Sequence, residues 1–225
     1  MPQAGIHGMV GMATSKWTSG RDWLLLGTIL GSFVPDMDTV AVAVATVTKA
    51  STEGLHRTMT HSVFFAAAVV IVFYAIGTMR RDTRWANLGL GLGLGILLHI
   101  VLDLFLWFNG VNLFWPLGGE VTLWPNGYPW AWFQQFNEQA AEFLCFGLYL
   151  WLLGTWARNF GTNRNYLGKL RMWIWLEFAL FAVFATALLL GKVFVTISGA
   201  LYLFSLFMTF FVTIRMRQTV EAARP

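Results

Sequence analysis

His56-Arg57-Thr58-Met59-Thr60-His61 runs straight into SVFFAAAVVIVFYAIGTM, residues 62–79, eighteen positions without a charge. As a helix rising ~1.5 Å per residue, such a run is long enough to cross the hydrocarbon core of a bilayer. Four more runs read the same way: Asn87–Phe108, Glu138–Ala157, Trp173–Leu190 and Val193–Val212. With 57% hydrophobic and only 12% charged residues, lipid is the expected solvent. The expected fold is all-α: a polytopic membrane protein with about five to six transmembrane helices and a broken or re-entrant helical hairpin at the N-terminus.

Upstream of His56 the pattern is shorter and more broken. Residues 5–17 are mildly apolar, Thr18-Ser19-Gly20-Arg21 reads as a turn, and Trp23–Val34 reads as a buried helix that Pro35 ends. A second apolar segment, Thr39–Val47, follows Asp36 and Asp38. An antiparallel hairpin of residues 5–17 and 22–34 would return His7 to the level of Asp36. Residues 1–21 lack the basic start and apolar core of a cleavable signal. The lone Cys145 lies inside an apolar run and has no partner for an intramolecular disulfide.

Downstream, residues 109–137 contain no Lys or Arg but include Trp115, Trp124, Trp130 and Trp132, the mark of an interfacial loop. The chain therefore divides by sequence into a site-bearing core, 1–137, and additional transmembrane helices, 138–225, in one integral membrane domain. Basic residues gather in three segments, Arg80/Arg81/Arg84, Arg158/Arg164/Lys169/Arg171 and Arg215/Arg217/Arg224, which hold 10 of the 15 Lys and Arg. Placing them inside puts the C-terminus in the cytoplasm and the opposite loops outside. The net charge of +4 is thus a topology signal and gives no nucleic-acid patch. Gly89, Gly91, Gly93 and Gly95 lack the strand context of a nucleotide loop and read as close-packing positions between helices.

All four histidines, His7, His56, His61 and His99, have acidic neighbours in Asp36, Asp38 and Asp103. Ionisable groups in an oily chain are costly and mark a site by default. His99 and Asp103 are four apart on one helix face, ~20–25 Å from the Arg80–Arg84 loop and level with His61. His7, Asp36, Asp38, His56, His61, His99 and Asp103 are the candidate metal ligands, enough for one or two divalent ions such as zinc or manganese. Plainer readings stand beside this one: a helix cap at Asp36 or Asp38, a solvated or outer-shell His56, a helix start at His61, a surface His7. Arg57 has the fork that grips phosphate. Glu142 is placed as a further ligand, Glu120 as solvated, and Glu177 as reaching for the basic loop.

His7, Pro35-Asp36-Met37-Asp38, His56-Arg57-x-x-Thr60-His61-Ser62 and His99-x-x-x-Asp103, in that order, resemble the YdjM-like family of membrane-bound, metal-dependent hydrolases. The likeness covers about residues 5–116, ending at Trp115-Pro116, and the C-terminal spans add nothing to it. This chain has Thr58 where the family has Gly and Thr39 where it has His. The family is in turn similar to zinc-dependent phospholipase C and P1-type nucleases. That likeness implies Asp103 bridging two metals, with Asp36, His61 and His99 on one and His7 on the other, although further histidines of those enzymes are missing here.

The resulting expectation is an integral protein of a prokaryotic plasma membrane that hydrolyses a phosphoester, with a lipid among the candidates, toward the outer face. Asp36, Arg57 and Asp103 are its catalytic candidates, and the bilayer is its partner. A metal-ion or proton carrier and a metal-stabilised structural protein are the alternatives.

Overall fold

A computed structural model describes residues 4–18, 20–106, 110–127 and 130–223. These residues are almost entirely helical, in the order α1 Ala4–Ala13, α2 Leu24–Gly31, α3 Thr39–Thr48, α4 Val63–Arg80, α5 Thr83–Leu106, α6 Ala131–Phe136, α7 Glu142–Asn159, α8 Leu167–Leu189, α9 Val195–Arg215 and α10 Arg217–Ala222. Among the described residues the strand-like feature is an isolated bridge between Val111 and Val121. Five helical stretches are long and apolar enough to cross a membrane: α4, α5, Ala131–Asn159, Arg164–Leu189 and α9. A sixth candidate is the pair Leu24–Gly31 and Pro35–Thr48, bent by 43°. The chain is therefore an all-α polytopic membrane protein with a broken N-terminal span. Pro35 supplies the break, because it cannot donate to the preceding turn.

Two compact units are present, one of residues 4–9 with 130–223 and one of residues 10–127. α1 passes from one into the other between Met9 and Val10. The division drawn at residue 137 in the sequence falls inside the continuous helical stretch Ala131–Asn159.

In the unit of residues 10–127, α5 is the central helix, and its glycines explain why. A side chain at Gly91 would collide with the Leu24 carbonyl, and one at Gly95 with the Thr28 carbonyl. Reciprocally, a side chain at Gly27 would meet the Leu88 carbonyl, and one at Gly31 the Leu92 carbonyl. The backbones of α2 and α5 thus touch through glycines four apart on both helices. Gly89 and Gly93 point the other way, against Phe73 and Val70 of α4. Alternate glycines of one run serve two different neighbours. Ile96 and Ile100, with Ala66 and Val111, form the buried apolar cluster beneath the site. At the far end, the Arg84 guanidinium lies 5.1 Å over the Trp23 ring and that of Arg80 5.0 Å over Trp85.

In the unit of residues 4–9 and 130–223, α7, α8 and α9 pack around Phe143, Phe184 and Ala140. Glu142, placed in the sequence as a further ligand, is buried and accepts a hydrogen bond from the Ala4 backbone N–H at 3.2 Å. It holds down the start of α1. Glu177 is buried in α8 beside Ser205 instead of reaching the basic loop.

Candidate metal centre

The stripe Gly91-x-x-x-Gly95 continues at the same spacing into His99-x-x-x-Asp103. The glycines let α2 close on α5, so the Ser32 carbonyl, just past the end of α2, reaches the His99 ring. His99 Nδ1–H donates to Ser32 O at 2.9 Å. A carbonyl only accepts, so this contact places a proton on Nδ1 and turns Nε2 inward. Asp36 follows within the Pro35–Asp38 turn and comes to 3.6 Å from His99 Nε2.

The 56–61 segment enters from the other side of the site. Ser62 caps α4 by accepting the Phe65 N–H at 3.1 Å, and Val63 N–H donates to Leu113 O at 3.0 Å. Arg57 is held at φ 61°, a left-handed conformation rare outside glycine, by bonds from its own N–H to Asp38 and from Asn112 N–H to its carbonyl. Such strain collects at functional sites.

Asp38 is the hub of this segment. His56 Nδ1–H donates to Oδ1 at 2.6 Å, Thr60 O–H to Oδ2 at 2.8 Å, and Arg57 N–H to Oδ2 at 3.2 Å. His61 Nδ1 lies 3.3 Å from the same Oδ2. With its lone pairs so engaged, Asp38 orients two imidazoles. His61 is thereby turned so that Nε2 faces His99 Nε2 at 3.3 Å. Burial lowers the His61 pKa from the ordinary 6.5 to about 4, so the ring is neutral at pH 7.

Asp103 completes the set, with Oδ2 3.6 Å from both His61 Nε2 and His99 Nε2. Asp36, His61, His99 and Asp103 are all fully buried. Neither oxygen of Asp36 has a hydrogen-bond donor among the described residues, and a buried carboxylate in that state is costly. The separations of 3.3 and 3.6 Å are long for hydrogen bonds to ionised groups. They match ligands around a shared ion: donors held at roughly 2.0–2.2 Å in a tetrahedron stand about 3.3–3.6 Å apart. Among the described residues, ligand atoms of Asp36, His61 and His99 lie within 4.8 Å of one another, as do those of Asp38, His56 and His61.

Asp36, Asp38, His56, His61, His99 and Asp103 thus come together in the unit of residues 10–127. His7 is buried on α1 and belongs to the other unit. Arg57 Nη2 stands 4.0 Å from Asp103 Oδ2. It opens, with His56, Asn112, Glu120, Thr122 and Trp124, onto a cleft of about 500 Å³. Part of the loop expected at 109–137 therefore does lie over the site. Residues 107–109 and 128–129 are outside the described residues.

Two contributors were not read as part of the site. Thr60, left outside the candidate ligands and catalytic residues, bonds Asp38, and its place in the His-Arg-x-x-Thr-His string was the available signal. The Ser32 carbonyl had none, being backbone.

A family model described as YdjM inner membrane protein matches residues 3–220. The chain belongs to the YdjM family. The match runs through the C-terminal helices, so family membership extends well past the motif-bearing residues 5–116. No curated protein and no solved structure matches the chain.

Proposed function

We propose that this YdjM family member is a membrane-embedded, metal-dependent phosphoester hydrolase. The observation that carries the reading is the meeting of His61 Nε2 and His99 Nε2 at 3.3 Å with two buried carboxylates, Asp36 and Asp103, each 3.6 Å from His99 Nε2, in a chain where lipid is the solvent. His61, His99, Asp36 and Asp103 would hold the ion, and zinc or manganese suits that donor set. When bound, such an ion supplies Lewis acidity, lowering the pKa of a nearby water and polarising a phosphoryl oxygen.

The protein's own groups do the rest. Arg57, at the floor of the polar cleft, receives the phosphate through its planar fork and offsets charge developing on its oxygens. His56, whose Nδ1–H is committed to Asp38, presents Nε2 as the atom that takes up or returns a proton. Asp38 fixes His56 and His61 in the required tautomers, the role of a carboxylate behind a metal-binding histidine. With the basic loops inside, the site opens toward the outer face.

Purified protein is expected to carry stoichiometric zinc or manganese by elemental analysis and to release phosphate or an alcohol from a panel of phosphoesters. His99→Ala and Asp103→Ala should lose both the metal and turnover. Unchanged activity in both variants ends the reading.

A further inference from the structure

A second cleft adjoins the first. It measures about 490 Å³ and is walled by Val34, Met37, Ala41, Leu55, Met59 and Phe65. Gly54 and Thr58 line both clefts, and Asp38 lies in the apolar one while bonding His56 in the polar one. Asp38 and the segment from Gly54 to Thr58 therefore stand between a polar chamber with a guanidinium and a groove walled mostly by hydrocarbon. Both are within the size range of ligand pockets, ~300–1,000 Å³. Beyond the groove, α3 carries exposed Val40, Val44 and Val47, an apolar face suited to the lipid itself.

We propose that the apolar groove between Val34 and Phe65 holds the hydrocarbon chain of a substrate whose phosphate lies at Arg57, making the substrate a lipid-like phosphoester. This rests on the hydrolase reading and names its substrate class. The occupant follows from the surroundings, because the medium that bathes an apolar groove in a bilayer supplies alkyl chains. A chain moving from bilayer to groove stays in apolar surroundings, so there the groove positions more than it attracts. For a monomeric substrate in water the full transfer term returns.

The test uses full-length, metal-replete protein and alkyl phosphoesters from butyl to decyl, each kept below its critical micelle concentration. For wild type, kcat/KM should climb with chain length by up to about fourfold per methylene (~0.8 kcal/mol) until the groove is full. Ala41→Trp, at an exposed helix position where a large side chain can be borne, should flatten that slope and leave metal content as in wild type. A readout without turnover is labelling by decyl phosphate bearing a terminal diazirine. The label should fall on residues 34–41 and 55–65, be competed by inorganic phosphate, and vanish in Ala41→Trp. A flat slope in wild type with labelling elsewhere overturns the groove assignment and leaves the hydrolase standing. If metal-replete protein cleaves no member of the series, the hydrolase reading falls, and the labelling pattern alone decides whether the groove takes a chain.

Discussion

Beside its buried hydroxyls, the unit of residues 10–127 buries imidazoles and carboxylates clustered together, whereas in residues 130–223 the buried polar side chains are mostly hydroxyls and the two buried carboxylates, Glu142 and Glu177, sit on different helices. Ser198, Tyr202, Ser205, Thr209 and Thr213 form a buried stripe along α9. The two ends of that stripe are satisfied locally. Ser198 O–H bonds Phe194 O at 2.9 Å, Thr213 O–H bonds Thr209 O at 2.8 Å, and Tyr149 pairs with Thr213 at 2.6 Å. A hydroxyl can return its proton to its own helix, so a helix buries it at small cost. A carboxylate has no such recourse. That difference separates a polar seam between membrane helices from a site that calls for a ligand.

The largest effect is expected where the glycine contacts are removed. Gly95→Leu drives a side chain into the Thr28 backbone, and overpacking of this kind costs ~1–3 kcal/mol or more. It should abolish metal retention and lower the thermal midpoint in detergent, whereas Gly168→Leu, with open space around it, should do neither. Equal damage from the two would erase the distinction between the regions.

Asp38→Asn comes next. It keeps the shape but weakens the grip on His56 and His61, so metal affinity measured by chelator competition should drop by ~10–100-fold, with helicity unchanged. A drop no smaller than that of His99→Ala would show Asp38 to be a ligand and not an orienting group.

Acid should act on the same region. Because the folded His61 pKa lies below its ordinary 6.5, the neutral ring contributes stability that is present above pH 6.5 and lost as pH falls toward 4. Thermal midpoints of chelator-treated protein between pH 7 and 4 should therefore shift further toward instability on acidification in wild type than in His61→Gln.

The smallest effect belongs to the hydroxyl seam. Tyr149→Phe should cost ~1 kcal/mol of stability and leave metal content alone. Loss of metal in Tyr149→Phe would mean that the seam is not the passive packing described above.

Much of this was legible in the sequence, for definite reasons. The long spans announce themselves because eighteen uncharged residues have few alternatives to lipid, and Gly91 and Gly95 because glycines four apart make little sense elsewhere. The ligand candidates stood out by rarity, as four histidines all near acids. Roles were harder to read. Asp36 and Asp38 differ by two positions, yet one has no hydrogen-bond donor among the described residues and the other has at least three. Only the direction of the turn at Pro35 separates them. Glu142 and Glu177 were misplaced because their neighbours, a backbone N–H at Ala4 and a serine on another helix, leave no mark in local composition.

The run from Gly89 to Asp103 is one rigid rotor with four settings made at once: Gly89 and Gly93 toward α4, Gly91 and Gly95 toward α2, His99 toward Ser32, Asp103 toward His61. Inserting or deleting a single residue after Gly93 would swing everything beyond it by ~100°, unseating packing and donors together. Within this family, length between Gly89 and Asp103 should therefore be frozen, while the loops on either side are free to lengthen.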